Sequence, residues 1–153
     1  MSPKRVNQIV LIDTGVWLGL CDRRDGQAAE SNAIFEQLES VGIAMPWPLW
    51  YEVLKTRVVK QPRNFERFNR AIKTMSVLRI DDTKYRENAL QATLDSGATR
   101  RPFSLVDMVC RLVIIDLSIR IDAVATYNVG DFADVCRKRD IPLISSAREI
   151  DGL

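Results

Sequence analysis

The most informative stretch of this sequence is Gln8-Ile9-Val10-Leu11-Ile12-Asp13-Thr14. It is a short run of apolar residues that ends abruptly at an acidic residue. Such a run is typical of a strand that is buried on both faces, as strands of parallel sheets are. Ligands of these sheets bind beyond the carboxyl ends of the strands. The stretch therefore predicts a buried strand with a candidate functional residue, Asp13, at its end.

Segments with strand and helix character alternate along the rest of the chain. Further strands are predicted at residues 43–45, 77–80, 122–126 and 142–144. Helices are predicted at residues 13–20, 27–41, 49–59, 62–74, 82–96, 104–118 and 132–139. This alternation, with strands that are apolar throughout, predicts an α/β fold with a mainly parallel sheet. The length of 153 residues suits a single domain over residues 1–153.

Histidine is absent from the sequence, and this absence restricts the available chemistry. It excludes the usual Ser-His-Asp and Cys-His nucleophilic machinery. It also excludes zinc hydrolysis on an H-E-x-x-H helix and iron held by histidine. If the chain is an enzyme, its acid–base and metal chemistry must come from Asp, Glu, Lys, Tyr or Cys.

The composition is that of an ordinary globular protein. Hydrophobic residues make up 46%, charged residues 27%, and the formal net charge of +2 is too small to indicate a partner. No apolar run approaches the ~18 residues needed to cross a bilayer or the roughly 7–15 residues of a signal sequence. Cys21, Cys110 and Cys136 are too few and too widely spaced for a disulfide framework or a zinc site. We therefore expect a cytoplasmic protein with no membrane segment.

Each acidic residue near a predicted strand end has an ordinary structural explanation. Asp13 is well suited to be the N-cap of the helix that follows it. Glu52 would usually lie on a solvated helix face, although its apolar neighbours argue against that, because burying a lone carboxylate is costly. Asp116 faces away from the other acids of its helix and is interpreted as structural, paired with Arg120.

Two further acids have alternatives of the same kind. Asp107 opens a strongly apolar helix, where Ser104 as N-cap would form a capping box with it. An ion pair between Asp107 and Arg111, one turn later, is a second structural explanation. Asp131 follows the predicted fourth strand, where it would either form a turn or cap the helix that Phe132 begins.

Taken together, Asp13, Glu52, Asp107 and Asp131 predict one site. A parallel sheet would bring strand ends and helix starts to one rim, and clustered carboxylates repel one another unless a cation is present. Mg²⁺ and Mn²⁺ prefer oxygen ligands and keep waters free for a substrate phosphate. Such a metal activates water and stabilises charge on a phosphodiester, so the pattern indicates metal-dependent hydrolysis.

In their order along the chain, these features resemble the PIN domain. They are Ile12-Asp13-Thr14 at a strand end, Glu52 in an early helix, Ser104-x-x-Asp107 opening an apolar helix, and Thr126-x-Asn128-x-x-Asp131-Phe132 after a strand. The resemblance covers nearly the whole chain. A single chain of this length is most similar to the VapC-type toxins of bacterial and archaeal toxin–antitoxin pairs.

The resemblance implies a three-layer α/β/α domain that binds Mg²⁺ or Mn²⁺ and cleaves RNA internally. The four acids would be both catalytic residues and metal ligands. Thr126 and Asn128 match positions that orient water or a ligand, and Thr14 and Ser104 would support the acids beside them. The VapC-type toxins are commonly homodimers silenced by a cognate antitoxin. The sequence departs from the family at Gly15, where many members have Asn or Ser, and in the arginine-containing stretch 97–102.

Positive charge is concentrated in one segment. Residues 55–73 contain seven basic residues and one acid, Glu66. The alternatives are a solvated amphipathic face and a surface that tracks RNA phosphates. In the second case the contacting residues would be Lys55, Arg63, Arg67 and Arg70.

A homodimer is expected from the apolar helix surfaces as well as from the resemblance. Trp17, Trp47 and Trp50 are more aromatic bulk than a small domain needs, and core packing accounts for at least one of them. The main alternative to a ribonuclease is a PIN-like RNA- or protein-binding module whose chemistry is lost. The presence of all four acids argues against that alternative.

Overall fold

The computed structural model describes residues 8–153, so the first seven residues of the predicted domain lie outside the described part. A five-stranded parallel sheet in the order β3-β2-β1-β4-β5 forms its centre. The strands are β1 (Ile9–Ile12), β2 (Gly42–Pro46), β3 (Ser76–Ile80), β4 (Ala123–Ala125) and β5 (Leu143–Ile144). β1, the strand predicted from the opening stretch, is the middle strand, and the predicted α/β fold with a parallel sheet is confirmed.

Helices connect the strands and cover both faces of the sheet. They are α1 (Thr14–Cys21), α2 (Ala28–Gln37), α3 (Trp47–Val53), α4 (Thr56–Val59), α5 (Pro62–Thr74), α6 (Arg86–Ser96), α7 (Leu105–Ile115) and α8 (Val129–Arg139). α1 contacts α2, α3 and α5, whereas α7 contacts α6 and α8 and, to a smaller extent, α3. Right-handed crossovers place these two groups on opposite faces, because the chain reverses its direction across the sheet after β3. Short 3₁₀ helices run over Thr83–Tyr85 and Ala147–Gly152.

Five helix predictions were wrong at their boundaries. α6 begins at Arg86 rather than residue 82, and α7 ends at Ile115 rather than residue 118. α2 ends at Gln37 instead of continuing to residue 41, because Gly42 belongs to β2 and donates a hydrogen bond to the Gln8 carbonyl at 2.9 Å. The helix expected over residues 49–59 is divided into α3 and α4, since Lys55 has an extended conformation. α8 begins at Val129, three residues before the predicted start, so its N-cap is Asn128.

Aromatic residues from α1, α2 and α5 form the core on one face of the sheet. Trp17 is fully buried and packs against Phe35 and Phe68, with ring centroids 4.8 and 5.6 Å apart. Trp50 is half-buried and meets Phe68 edge-on at 6.0 Å. Trp17 therefore belongs to the core and is not available to a dimer interface, whereas Trp47 remains partly exposed.

α1 carries two glycines with different surroundings. A Cβ added at Gly19 would overlap Ser31 Oγ and lie 3.1 Å from the Gln27 carbonyl oxygen, so α1 and α2 approach closely there. A Cβ added at Gly15 would make an ordinary contact of 3.6 Å with the Tyr127 ring. Since both glycines are helical, the difference between them lies in packing alone.

We therefore predict that Gly19→Ala destabilises the protein by about 1–3 kcal/mol, because overpacking forces helices apart. Gly15→Ala is the matched control on the same helix and should be neutral or stabilising by up to ~1 kcal/mol, since Ala favours helix. Denaturant unfolding monitored by circular dichroism measures both free energies of unfolding. Equal effects of the two substitutions would contradict the close α1–α2 contact.

Candidate active site

Asp13 lies directly after β1, in the middle of the sheet, and is only 4% exposed. It is the N-cap of α1, as the structural explanation expected, and its Oδ1 accepts a hydrogen bond from the Thr14 amide at 2.8 Å. Its Oδ2 accepts a hydrogen bond of 2.8 Å from the hydroxyl of Thr126, which follows the neighbouring strand β4. Both carboxylate oxygens are thus oriented by neutral donors rather than by a cation.

Glu52 lies at the end of α3 and is half-buried. Its Oε2 accepts a hydrogen bond of 2.6 Å from the Thr14 hydroxyl. This contact connects the helix after β2 to the residue that follows Asp13 at the end of β1. The interpretation of Glu52 as a solvated residue on a helix face was therefore wrong.

Asp107 lies in the first turn of α7, and Ser104 is the N-cap of that helix. The Asp107 amide donates to Ser104 Oγ at 3.1 Å, so the capping interaction expected of Ser104 is confirmed. Arg111 does not pair with Asp107. It binds Asp134 with two hydrogen bonds of 2.7 Å and the carbonyl oxygen of Asp131 at 2.6 Å.

Asp131 lies inside the first turn of α8 and Asn128 is the N-cap, so the alternative in which Asp131 caps this helix does not hold. Its Oδ1 pairs with Arg101, at 2.9 Å from Nη2 and 3.2 Å from Nε. The segment before the helix is tied to the site, because the Asn128 amide donates to Thr126 Oγ1 at 3.0 Å. Thr126 thus connects Asn128 with Asp13.

The charges of the four acids act on one another. Burial raises the pKa of Asp13 above its usual value, hydrogen bonds from Thr126 and the Thr14 amide oppose the rise, and the charges of Glu52 and Asp131 add to it. Burial also raises the pKa of Asp107 to about 6, and Asp13, Asp131 and Glu52 contribute to that rise. The four carboxylates therefore form one electrostatically coupled group at the carboxyl edge of the sheet.

The chemistry of this donor set fits a hard divalent cation, because carboxylate oxygens are the ligands that Mg²⁺ and Mn²⁺ prefer. Within residues 8–153 no three Asp, Glu, His or Cys side chains are already arranged around a metal position. Binding would therefore need side-chain rotations, and the hydroxyl donors of Thr14 and Thr126 leave lone pairs on the carboxylates for it.

Asp116, interpreted as structural, has different partners from those expected. It accepts a hydrogen bond from Tyr85 at 2.6 Å and pairs with Lys84 at 2.6 Å. Arg120 pairs with Asp122 instead, at 3.0 Å. The predicted pair between Asp116 and Arg120 was therefore wrong, because Asp116 ends α7 and turns toward the 3₁₀ helix before α6.

The basic residues of α5 line a groove with residues that the sequence interpretation missed. Arg63 and Arg67 line a cavity of about 400 Å³ together with Arg23 and Arg24, which follow α1. Arg70 is instead paired with Glu66 at 2.9 Å, and Lys55 is exposed. The charges along α5 gave no indication of Arg23 and Arg24, because these two residues follow α1 and lie about 40 residues earlier in the chain.

The fold is similar to that of a solved protein, VapC20 of Mycobacterium tuberculosis, a toxin that cleaves the sarcin-ricin loop. The TM-score is 0.63, the sequences are 13% identical, and the match covers 82% of this chain and 94% of the VapC20 chain. No protein-family model and no curated protein matches the sequence. At this identity the likeness shows that the fold is PIN-like.

In the part of the chain that the structure describes, no helix combines the length and the apolar character needed to cross a membrane.

We predict that Asp107→Asn stabilises the metal-free protein near neutral pH. A carboxyl group whose pKa is raised on folding gives stability that is present below its unfolded pKa and is lost as the pH rises through its folded pKa, here about 6. The free energy of unfolding of the variant should exceed that of the native chain by about 2 kcal/mol at about pH 7.5. The two free energies of unfolding should be equal at about pH 4.

Asp95→Asn, on the exposed surface of α6, is the control for loss of one carboxylate. Denaturant unfolding in EDTA at both pH values measures the difference. If Asp107→Asn and the native chain are equally stable at neutral pH, the charge of Asp107 does not destabilise the folded protein and the prediction is wrong.

Proposed function

We propose that this protein is a metal-dependent endoribonuclease that hydrolyses RNA phosphodiesters, and that it is the toxin of a toxin–antitoxin pair. The observation that carries the proposal is the group of four acids at the carboxyl edge of the sheet in a PIN-like fold. Neutral hydroxyl groups orient Asp13 and Glu52 there, Asp107 lies in the first turn of α7, and Asp131 pairs with Arg101. A solved toxin with a similar fold cleaves RNA, which supports the same class of activity here.

Each residue of the site has a part in this proposal. A bound Mg²⁺ or Mn²⁺ activates water and stabilises the charge that develops on a phosphodiester. Asp13 and Asp107 are its proposed main ligands, and Glu52 and Asp131 hold a second ion or position the attacking water. Thr126 fixes the rotamer of the Asp13 carboxylate through its 2.8 Å hydrogen bond.

Thr14 does the same for Glu52 through the 2.6 Å hydrogen bond from its hydroxyl. Ser104 starts α7 at the position that orients Asp107. Because no histidine is present, the proposed route is direct attack by water without a covalent enzyme intermediate. The supporting residues then act by holding the acids in place, since the acids alone would repel one another.

Two surfaces support the proposed partners. The groove that contains Arg23, Arg24, Arg63 and Arg67 has the positive charge that RNA phosphates require. A second groove of about 270 Å³ lies between α1, α2 and α5 and combines apolar with charged side chains. A protein segment such as an antitoxin would find both apolar contacts and ion pairs there.

The test of activity is incubation of the purified protein with total cellular RNA in Mg²⁺ or Mn²⁺, followed by sequencing of the new RNA ends. We expect discrete fragments that disappear in excess EDTA. The Asp107→Asn variant should remain folded, and its rate of RNA cleavage should fall on the order of 100-fold or more, because the substitution removes charge from the proposed metal site.

The control is the exposed Asp95→Asn variant, which should cleave at the native rate. Folding and cleavage are measured on the same samples by circular dichroism and by gel. Undiminished cleavage by folded Asp107→Asn, or in EDTA, would show that the acids are structural. A native chain that binds RNA without cutting it would favour the alternative, a PIN-like binding module without activity.

We also propose a homodimer that buries the exposed apolar surface of α3, α6 and α7. Tyr51 is 74% exposed there, and Leu90 and Leu105 are also exposed. These residues line a mainly apolar groove of about 400 Å³ with Val106 and Val109. Apolar surface of this kind, rimmed by charges such as Arg86 and Glu87, is characteristic of protein–protein contact sites.

We predict that the native protein is a dimer by light scattering at tens of micromolar, and that Leu90→Arg shifts it toward the monomer. Leu117→Arg is the matched control, because Leu117 is 83% exposed but does not line this groove. A monomeric native chain, or equal effects of the two substitutions, would contradict an interface on this surface.

A further inference from the structure

The loop between α6 and α7 contains Arg100 and Arg101, which belong to no recognised motif. Arg101 reaches the acidic site across this loop and places its guanidinium on Asp131, with Nη2 and Nε at 2.9 and 3.2 Å from Oδ1. Its guanidinium lies directly against Gly130. A Cβ at that position would overlap the guanidinium, so the missing side chain of Gly130 creates the space that Arg101 occupies.

Arg111, which is also near Asp131, has a different role. Its side chain is only 13% exposed, it binds Asp134 with both terminal nitrogens, and it stacks on the Phe103 ring at 4.3 Å. Its donors are therefore engaged in holding α7, α8 and the loop together. We interpret Arg111 as structural.

The Arg101 guanidinium, in contrast, keeps donors free. Its side chain is 58% exposed, and only Nε and Nη2 contact Asp131, both through the same oxygen. A guanidinium has five N–H donors, so Nη1 and the second hydrogen of Nη2 remain. They lie at the rim of a site in which the Asp13 and Glu52 carboxylates accept hydrogen bonds from neutral hydroxyl and amide groups.

We propose that Arg101 is a substrate-binding residue that contacts a phosphate of the RNA beside the bond to be cut, with Asp131 holding its guanidinium in place. A polyanion that approaches four carboxylates needs positive charge at their edge. The planar fork of arginine matches phosphate geometry better than a point charge does. This inference rests on the proposed ribonuclease activity and names a residue that the four-acid pattern does not contain.

The test measures RNA cleavage in Mg²⁺ over a series of KCl concentrations, with a labelled RNA hairpin whose loop contains all four nucleotides. Arg101→Gln should lower kcat/KM by about 10- to 100-fold, the effect of losing a hydrogen bond to a charged group. It should also make the slope of log(kcat/KM) against log[salt] shallower by about 0.7, because one phosphate contact is lost.

Two matched variants separate charge from placement. Arg100→Gln removes the same charge from the neighbouring residue, whereas Asp131 is bound by Arg101, and should leave kcat/KM near the native value. Gly130→Ala keeps the charge but displaces the guanidinium; since Gly130 is helical without positive φ, Ala fits its backbone. This variant should lower kcat/KM several-fold and also make the salt slope shallower, because the displaced guanidinium loses its phosphate contact although its charge remains.

Thermal unfolding of each variant establishes that it is folded. A native salt slope and native kcat/KM for Arg101→Gln would overturn the proposal, and so would faster cleavage by Gly130→Ala, because Arg101 would then block the site. If the native chain cleaves no RNA, the proposed function fails as a whole. If the native chain cleaves and Arg101→Gln behaves like Arg100→Gln, only the role of Arg101 fails.

Discussion

The burial of the Asp13 carboxylate at the end of the central strand is the constraint on which the rest of the site depends. A buried carboxylate is costly unless its oxygens are hydrogen-bonded. The Thr14 amide, the next residue in the chain, provides one of those hydrogen bonds. The Thr126 hydroxyl provides the other, and it is in place because β1 and β4 are adjacent and parallel. The parallel pairing of β1 with β4 therefore helps to fix the orientation of the Asp13 carboxylate.

The remaining acids are attached to this centre through different elements. Glu52 is connected by the hydroxyl of Thr14, which belongs to the same turn as Asp13. Arg111 and Asp107 both lie on α7. The Arg111 side chain donates a hydrogen bond to the backbone carbonyl oxygen of Asp131 and so connects Asp131 to that helix. Neutral hydroxyl groups and Arg111 thus hold the acids in place. Burial raises the pKa of Asp107, and the repulsion from the other acids adds to that rise.

The repulsion among the acids opposes the stability of the fold at this edge. Like charges at a sheet edge destabilise the folded chain, and natural proteins accept such strain where a ligand relieves it. The elements around the site are correspondingly well packed, with Trp17 in the aromatic core beneath α1 and with the close contact of α1 and α2 at Gly19. The framework resists a repulsion that a cation would remove.

Much of the fold could be predicted because the strands are buried on both faces and are therefore continuously apolar. β1 to β5 were found within one or two residues of the runs that predicted them. The errors occurred where local signals compete with tertiary contacts. Gly42, which looked like the end of a helix, forms strand pairs with Ile9 and Ser76 instead. The helix predicted to begin at residue 49 begins at Trp47 instead, and Pro48 lies inside its first turn, where proline is tolerated.

By itself the sequence determined that acids follow strand ends, that Ser104 begins an apolar helix, and that chemistry without histidine must use oxygen groups. Those properties depend on residue type and short spacing. The tertiary structure alone decided which charges meet. Arg101 lies on Asp131, Arg111 on Asp134 and Lys84 on Asp116, pairs separated by 30, 23 and 32 residues. Such partners are selected by how α7, α8 and the connecting loops pack against one another, and no local pattern encodes that packing.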